Sequence, residues 1–208
     1  MRRTFFIFLF SGLLFSVKSQ TLTQIKKILD TTGNPVGFVK YLKKKFYIDT
    51  VVVTGTVSFL GKADSLAYHG KVGKVYGPFK KENILIKILA KAPNTFYHVK
   101  HILLDTTVFI QQFAESLADT IIAKIKSGSA TFDSQASIYS ADYSSASKGG
   151  DLGWFVKGVM LKQMDDELIK RKKGEIFKIW TKAGLHIIYI ADKPKQDVGY
   201  ALLLRVIL

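Results

Sequence analysis

The sequence predicts an α+β fold: a βαααβαββ module over residues 96–192, preceded by a small N-terminal α/β extension over residues 20–95. Three observations predict it. Val99, His101 and Leu103 alternate with Lys100, Ile102 and Leu104, the two-residue period of a strand. Phe109, Phe113, Leu117, Ile121 and Ile125 then recur every four residues with Ala114, Ala118 and Ile122 beside them, one apolar helix face for a sheet. Finally, Gly149, Gly150 and Gly153 leave room for a tight turn, and the Trp154-Phe155 pair behind them seeks burial as a short strand.

The bulk composition narrows the function classes. Of 208 residues, 48% are hydrophobic, enough for a packed core. The absence of cysteine removes disulfides, a thiolate nucleophile and thiolate-bound zinc. The net charge is +15, but apart from Lys43-Lys44-Lys45 and Arg171-Lys172-Lys173 the basic residues are scattered. That pattern reads as a solvated basic surface, so no nucleic-acid partner is expected.

Residues 1–19 read as a secretory signal peptide: Arg2-Arg3, an apolar run from Phe5 to Val17, then Val17-Lys18-Ser19 at the cleavage position. The run is shorter than the roughly 20 residues of a spanning helix. The expectation is an exported protein, periplasmic or secreted, with no stable membrane span after cleavage and an anchor if the signal stays uncleaved.

Within the extension, Leu22, Ile25, Ile28 and Leu29 have helical spacing with Thr21 or Thr23 as cap, and Gly33-Asn34-Pro35 ends that helix. A second short amphipathic piece covers residues 36–46. Residues 47–60 are β-branched and aromatic and read as a strand, with Gly55 as a bulge. Residues 70–78 are turn-rich, 84–90 form an apolar strand, and Lys91-Ala92-Pro93-Asn94 reads as a boundary. In the module, Thr106 or Thr107 caps the long helix, which ends at Gly128. Residues 132–139 form a second helix, and 142–147 a short helix or turn. Residues 151–155 make the second strand, and Met160, Met164 and Leu168 mark a helix stopped at Gly174. Residues 175–180 and 185–191 make the last two strands. The tail, 193–208, is apolar from Gly199 onward and too short to span a bilayer. It reads as a strand pairing with the 47–60 region, since an exposed strand that apolar would aggregate.

Five pieces of the module, in order, carry a family resemblance: His101-Ile102-Leu103-Leu104, Gly149-Gly150-Asp151-Leu152-Gly153-Trp154-Phe155, Gly158-Val159-Met160, Gly174-Glu175-Ile176 and Gly184-Leu185-His186-Ile187-Ile188. Together they resemble the parvulin (PpiC-type rotamase) family of peptidyl-prolyl cis-trans isomerases. The resemblance implies a four-stranded antiparallel sheet covered by helices, with the first and last strands adjacent. It places His101 and His186 as the paired histidines and Thr181 as the hydroxyl beside them. Asp142 falls where family members carry Asp or Cys, and Leu152, Met160 and Met164 line the proline pocket. Many parvulins have Phe at the place of Met164. Basic residues that hold phosphate in one branch of the family are missing from Asp105-Thr106-Thr107-Val108-Phe109, so no dependence on phosphorylated targets is expected.

Other readings of these residues are weaker. His98 and His101 lie three apart, so a strand points them to opposite faces and a shared metal is not expected. Ser, His and Asp are present, but no nucleophile-elbow pattern accompanies them. His69 stands among polar neighbours as a surface residue. The implied activity is noncovalent catalysis of X-Pro rotation in unfolded or nascent exported polypeptides, without metal or cofactor. The alternative is a noncatalytic chaperone that holds unfolded chains in the same pocket.

Overall fold

The computed structural model describes residues 21–54 and 59–208. The signal peptide read at 1–19 and the bulge read at Gly55 lie outside the described residues. Among the described residues, no helix is long and apolar enough to cross a membrane.

The chain opens with helices α1 (Leu22–Thr31) and α2 (Pro35–Tyr41), strand β1 (Phe46–Val52), helix α3 (Lys62–His69) and strand β2 (Val75–Phe79). Thr21 and Gln24 form a capping box at α1, and Asn34 caps α2 ahead of Pro35 at its first position. The module follows as β3 (Ile84–Asp105), α4 (Gln111–Lys126), α5 (Phe132–Tyr139), α6 (Tyr143–Ala146), β4 (Asp151–Val156), α7 (Lys162–Leu168), β5 (Ile176–Thr181) and β6 (Gly184–Ile190). The βαααβαββ order is therefore the observed one. The chain ends in β7 (Lys195–Ile207).

The 22-residue strand β3 is the spine of the fold. One of its edges pairs first with β7 (Ile84↔Ile207 to Phe96↔Lys195) and then with β6 (Val99↔Ile190 to Asp105↔Gly184). The other edge pairs with β2 near its start and with β4 from Phe96 to Lys100. β5 extends the sheet beyond β6, and β1 extends it beyond β7 with Phe46 opposite Val206. Every pairing is antiparallel.

One expectation is corrected here and one extended. The boundary read at Lys91–Asn94 lies inside β3: Ala92 is opposite Tyr200, and Pro93, past a shift of register, is opposite Val198. Pro93 gives up an amide donor, and the shift absorbs it. The four module strands do form an antiparallel set, but the described residues continue it to seven strands, because the apolar tail needs a partner on both of its edges.

Smaller differences have local causes. Asp105 accepts the Thr107 amide at 2.7 Å and its carbonyl accepts the Phe109 amide, so a turn delays α4 to Gln111, with Ile110 at its cap. The side chains of α4 that reach the core are Ala114, Ala118 and Ile121, while Phe113 is exposed. A four-residue repeat advances about 40° per step on a helix of 3.6 residues per turn, so the stripe from Phe109 drifts off the sheet. Met160 precedes α7 rather than starting it, and β2 forms within the turn-rich stretch. Helix α3 occupies residues that carried no expected helix.

Each face of the sheet is covered. Ile102, Leu104, Leu185 and Ile187 pack under α4 and α5 with Phe132 and Ala136. On the opposite face Val99, Ile188, Ile190 and Phe177 pack with Met164 and Leu168 of α7. Farther along, α3 covers Ile86, Ile88, Phe96 and Leu203, while α1 and α2 cover Leu85, Leu204 and Val206.

Candidate active site

Strand alternation puts Val99, His101 and Leu103 on the α7 face of β3. In the ladder to β6, His101 is opposite Ile188 and Leu103 is opposite His186. The two histidines are thus diagonal neighbours on one face. Their Nδ1 atoms lie 3.4 Å apart and the rings are near parallel, with centroids 5.6 Å apart. The β5–β6 hairpin brings Thr181 to the outer side of His186, with Thr181 Oγ1 2.9 Å from His186 Nε2. Asp142 arrives from the β3 edge. Ala141 donates its amide to the Leu103 carbonyl at 2.8 Å, and Ser140 Oγ accepts the Leu103 amide at 3.2 Å. Asp142 then sits at the N-cap of α6, its Oδ2 2.7 Å from His101 Nε2.

The four groups form one continuous chain, whose polarity the Asp142 carboxylate sets at its end. Asp142 is held by donors: the Ser144 amide and hydroxyl on Oδ1 (3.2 and 2.6 Å) and the Ser145 hydroxyl on Oδ2 (2.5 Å). Burial raises its carboxyl, but the bonds from Ser144, Ser145 and His101 outweigh that and hold it well below the usual carboxylate range. An ionised carboxylate only accepts, so His101 Nε2 carries a proton. Burial, then the neighbouring His101, push the His186 imidazole down to about 4, against the pull of Asp142. His186 is therefore neutral near pH 7. The contacts run without a break from Thr181 Oγ1 through His186 Nε2, His186 Nδ1, His101 Nδ1 and His101 Nε2–H to Asp142. Thr181 Oγ1 also takes the Ala183 amide at 3.1 Å and lies 3.5 Å from the Gly184 carbonyl.

Leu152, Met160 and Met164 come together in one apolar cluster beside this chain. Met164 is buried, and Leu152 and Met160 pack half-buried against it with Ile179. The cluster shares Ile188, the direct partner of His101, and Ile179, the direct partner of His186. An open groove of about 410 Å³, lined by Leu161, Lys162, Gln163, Thr181, Lys182 and Ala183, borders the same hairpin. All seven side chains singled out in the sequence therefore share the α7 face or its rim.

Two participants were not anticipated. Ser145 is buried and bonds both Asp142 and His101 Nε2 (3.1 Å). It lies in a serine-rich stretch where no pattern distinguishes one hydroxyl from the next. Ile179 could have been found, because it lies two residues before Thr181 and so on the same strand face. The reading of His98 as separate from His101 agrees with the structure. His98 faces the other way, between Asp151 (2.8 Å) and Asp192 (3.0 Å), with its ring against Trp154.

The site carries a pH signature. An unfolded His186 titrates near 6.5 and the folded one near 4, so between these values the unfolded chain binds more protons and stability rises with pH. Stability is expected to fall as pH drops from 6.5 to 4, by about 3 kcal/mol at the upper bound of 1.36 kcal/mol per pKa unit. Denaturant titrations across this range should show the slope, and His186→Gln should flatten it. Asp142 adds a loss of the same sign below its unfolded value of 3.8.

The profile of the PPIC-type PPIASE domain matches residues 84–194, more than half of the chain, and starts with β3 rather than at residue 96. Chaperone SurA of Pectobacterium atrosepticum is 39% identical over 103 residues, covering 48% of this chain and 24% of its own length. Foldase protein PrsA of Geobacillus kaustophilus is 42% identical over 83 residues, covering 39% of this chain and 29% of its own length. Among solved structures, PrsA from Bacillus subtilis is similar at 35% identity and a TM-score of 0.40, over 47% of this chain and 35% of that one. The chain spans about a quarter of the length of the curated relatives it matches.

Proposed function

Because the chain belongs to the family of PPIC-type PPIase domains, we propose that it is a peptidyl-prolyl cis-trans isomerase acting on X-Pro bonds of unfolded exported polypeptides. The observation that carries this is one sheet face holding both the Thr181–His186–His101–Asp142 chain and the Leu152–Met160–Met164 cluster.

An X-Pro bond exchanges over tens to hundreds of seconds, because the partial double bond must twist through a barrier of about 18–20 kcal/mol. A protein accelerates the step by holding the twisted state better than either planar one. The planar imide owes part of its stability to a resonance dipole that water solvates, and the twisted form has largely lost that dipole. A slot of Leu152, Met160 and Met164 that grips the pyrrolidine ring without water therefore favours the twisted form. The neutral His186 suits this role, since it places a hydrogen-bonding group beside the slot without a hydrated charge. Asp142 anchors the polarity of the chain. No bond is broken, and the reading requires no cofactor.

The segment roles follow the same reading: residues 1–19 direct export, the isomerase runs from the start of β3 at Ile84, rather than from residue 96, to residue 192, and the residues between the signal and β3 handle clients. Localisation outside the cytoplasm rests on the pattern of residues 1–19. A second reading, holding of unfolded chains without catalysis, is favoured by one observation: Val108, Ile110, Phe113 and Leu161 are 52–74% exposed.

Isomerisation of a short unphosphorylated X-Pro peptide by the purified full chain tests both. The expected result is acceleration, with most of it lost in His186→Ala. Met160→Ala should raise KM about tenfold or more, from the apolar contact removed. A phosphorylated Ser-Pro peptide should react no faster. No acceleration, with suppressed aggregation of an unfolded client, would replace the isomerase by the holding function.

A further inference from the structure

The slot draws its three groups from β4, from the loop at residues 157–161 and from α7, so its width depends on how that loop is held to the helix. The loop turns tightly, with Gly158 at φ +97 and the Val159 amide on the Val156 carbonyl. At its far end the Met164 and Asp165 amides bond the Leu161 carbonyl, and α7 starts without a side-chain cap. Among the described residues, one side chain ties the glycine turn to the helix: Asp165 Oδ2 accepts the Gly158 amide at 2.9 Å. Asp165 is only 6% exposed, and its Oδ1 has no hydrogen-bond partner among the described residues. A carboxylate so poorly satisfied is costly to bury, and a merely structural position would be filled more cheaply by an apolar side chain.

We propose that Asp165 is a positioning residue for the proline slot, gripping the Gly158 amide so that Met160 on the loop and Met164 on the helix face the same ring. This rests on the isomerase reading above. Asp165 acts through Gly158, and its neighbour Met164 is the residue that touches substrate.

The test compares Asp165→Ala, Asp165→Glu and Asp165→Asn in the full chain, with KM and kcat read separately on an X-Pro peptide. Asn retains an oxygen for the Gly158 amide and should stay within about twofold of the parent. Ala removes the acceptor, and Glu displaces it by a methylene while keeping the charge. Both should raise KM about tenfold with kcat little changed, the loss of one hydrogen bond. Glu keeps the test decisive if Ala fails to fold. Unchanged KM in both, or kcat falling with KM intact, would overturn the proposal. Amide exchange at Gly158, faster in Ala and Glu but not in Asn, reads the same grip without catalysis. If the parent shows no acceleration, the isomerase reading fails, and the exchange result still decides whether Asp165 holds the loop.

Discussion

Asp142→Asn is expected to strip His101 Nε2 of its proton and to lower kcat/KM by about 10- to 100-fold, the range of one bond to a charged group. The substitution is isosteric, so packing stays intact. The Ser144 backbone amide, which can only donate, holds whichever carboxamide atom occupies the Oδ1 position. That atom must be the oxygen, and the amide nitrogen then faces His101 Nε2, 2.7 Å away in the parent. Two donors cannot share that contact, so His101 must give up its Nε2 proton and carry one on Nδ1. His186 must then accept at Nδ1 and donate from Nε2 to Thr181. Nitrogen shifts of the two imidazoles by NMR would report the loss of the Nε2 proton directly. Lost activity with that proton retained would mean that the Asp142 charge, rather than the polarity it imposes, matters.

The second large effect is expected at Gly150. Its φ is +78, and a Cβ built there would meet the His101 carbonyl oxygen at 2.3 Å and the Ala136 methyl at 3.1 Å. The contact is backbone against backbone, because the Gly150 carbonyl accepts the His101 amide at 2.8 Å. Gly150→Ala should therefore cost roughly 3 kcal/mol or more, combining left-handed strain with overpacking. At about 2–4 °C per kcal/mol for a chain of this size, the melting temperature should drop by about 6–12 °C. Gly153→Ala is the matched control: φ is +65, but nothing lies within 4 Å of its Cβ, so only the backbone term of about 1–2 kcal/mol applies. Equal losses in the two variants would show that His101 is not pressed by the glycine turn. Because Gly150 abuts the His101 backbone, any folded Gly150→Ala protein should also lose activity, whereas Gly153→Ala should keep most of it.

These two residues also show what was legible beforehand. Gly150 belongs to a run whose glycines and Trp-Phe pair announce a turn into a strand from local chemistry alone. Its second duty, making room for the carbonyl of His101 some fifty residues earlier, exists only once β3 and the turn are side by side. Asp142 and His101 could be matched to family positions, but the serine partners of Asp142 could not. Ser144 and Ser145 are two hydroxyls in a serine-rich segment, and only the first turn of α6 distinguishes them from the rest.

The same division holds for the whole chain. Period-two alternation, capping residues and glycine turns act over a few residues, so the sequence by itself determined the βαααβαββ order, the face on which His101 and His186 lie, and the separation of His98 from them. The tertiary structure alone decided three things. β3 runs unbroken through Lys91–Asn94, because the tail pairs along it through Pro93. The tail, besides the expected pairing with the strand in 47–60, also pairs with β3, so the sheet of the described residues grows to seven strands. Ser145 and Asp165 become neighbours of the site. Each depends on register between strands, or on helix packing, between residues far apart in the chain. Such contacts are selected by burial of the apolar faces as a whole, and no local pattern encodes them.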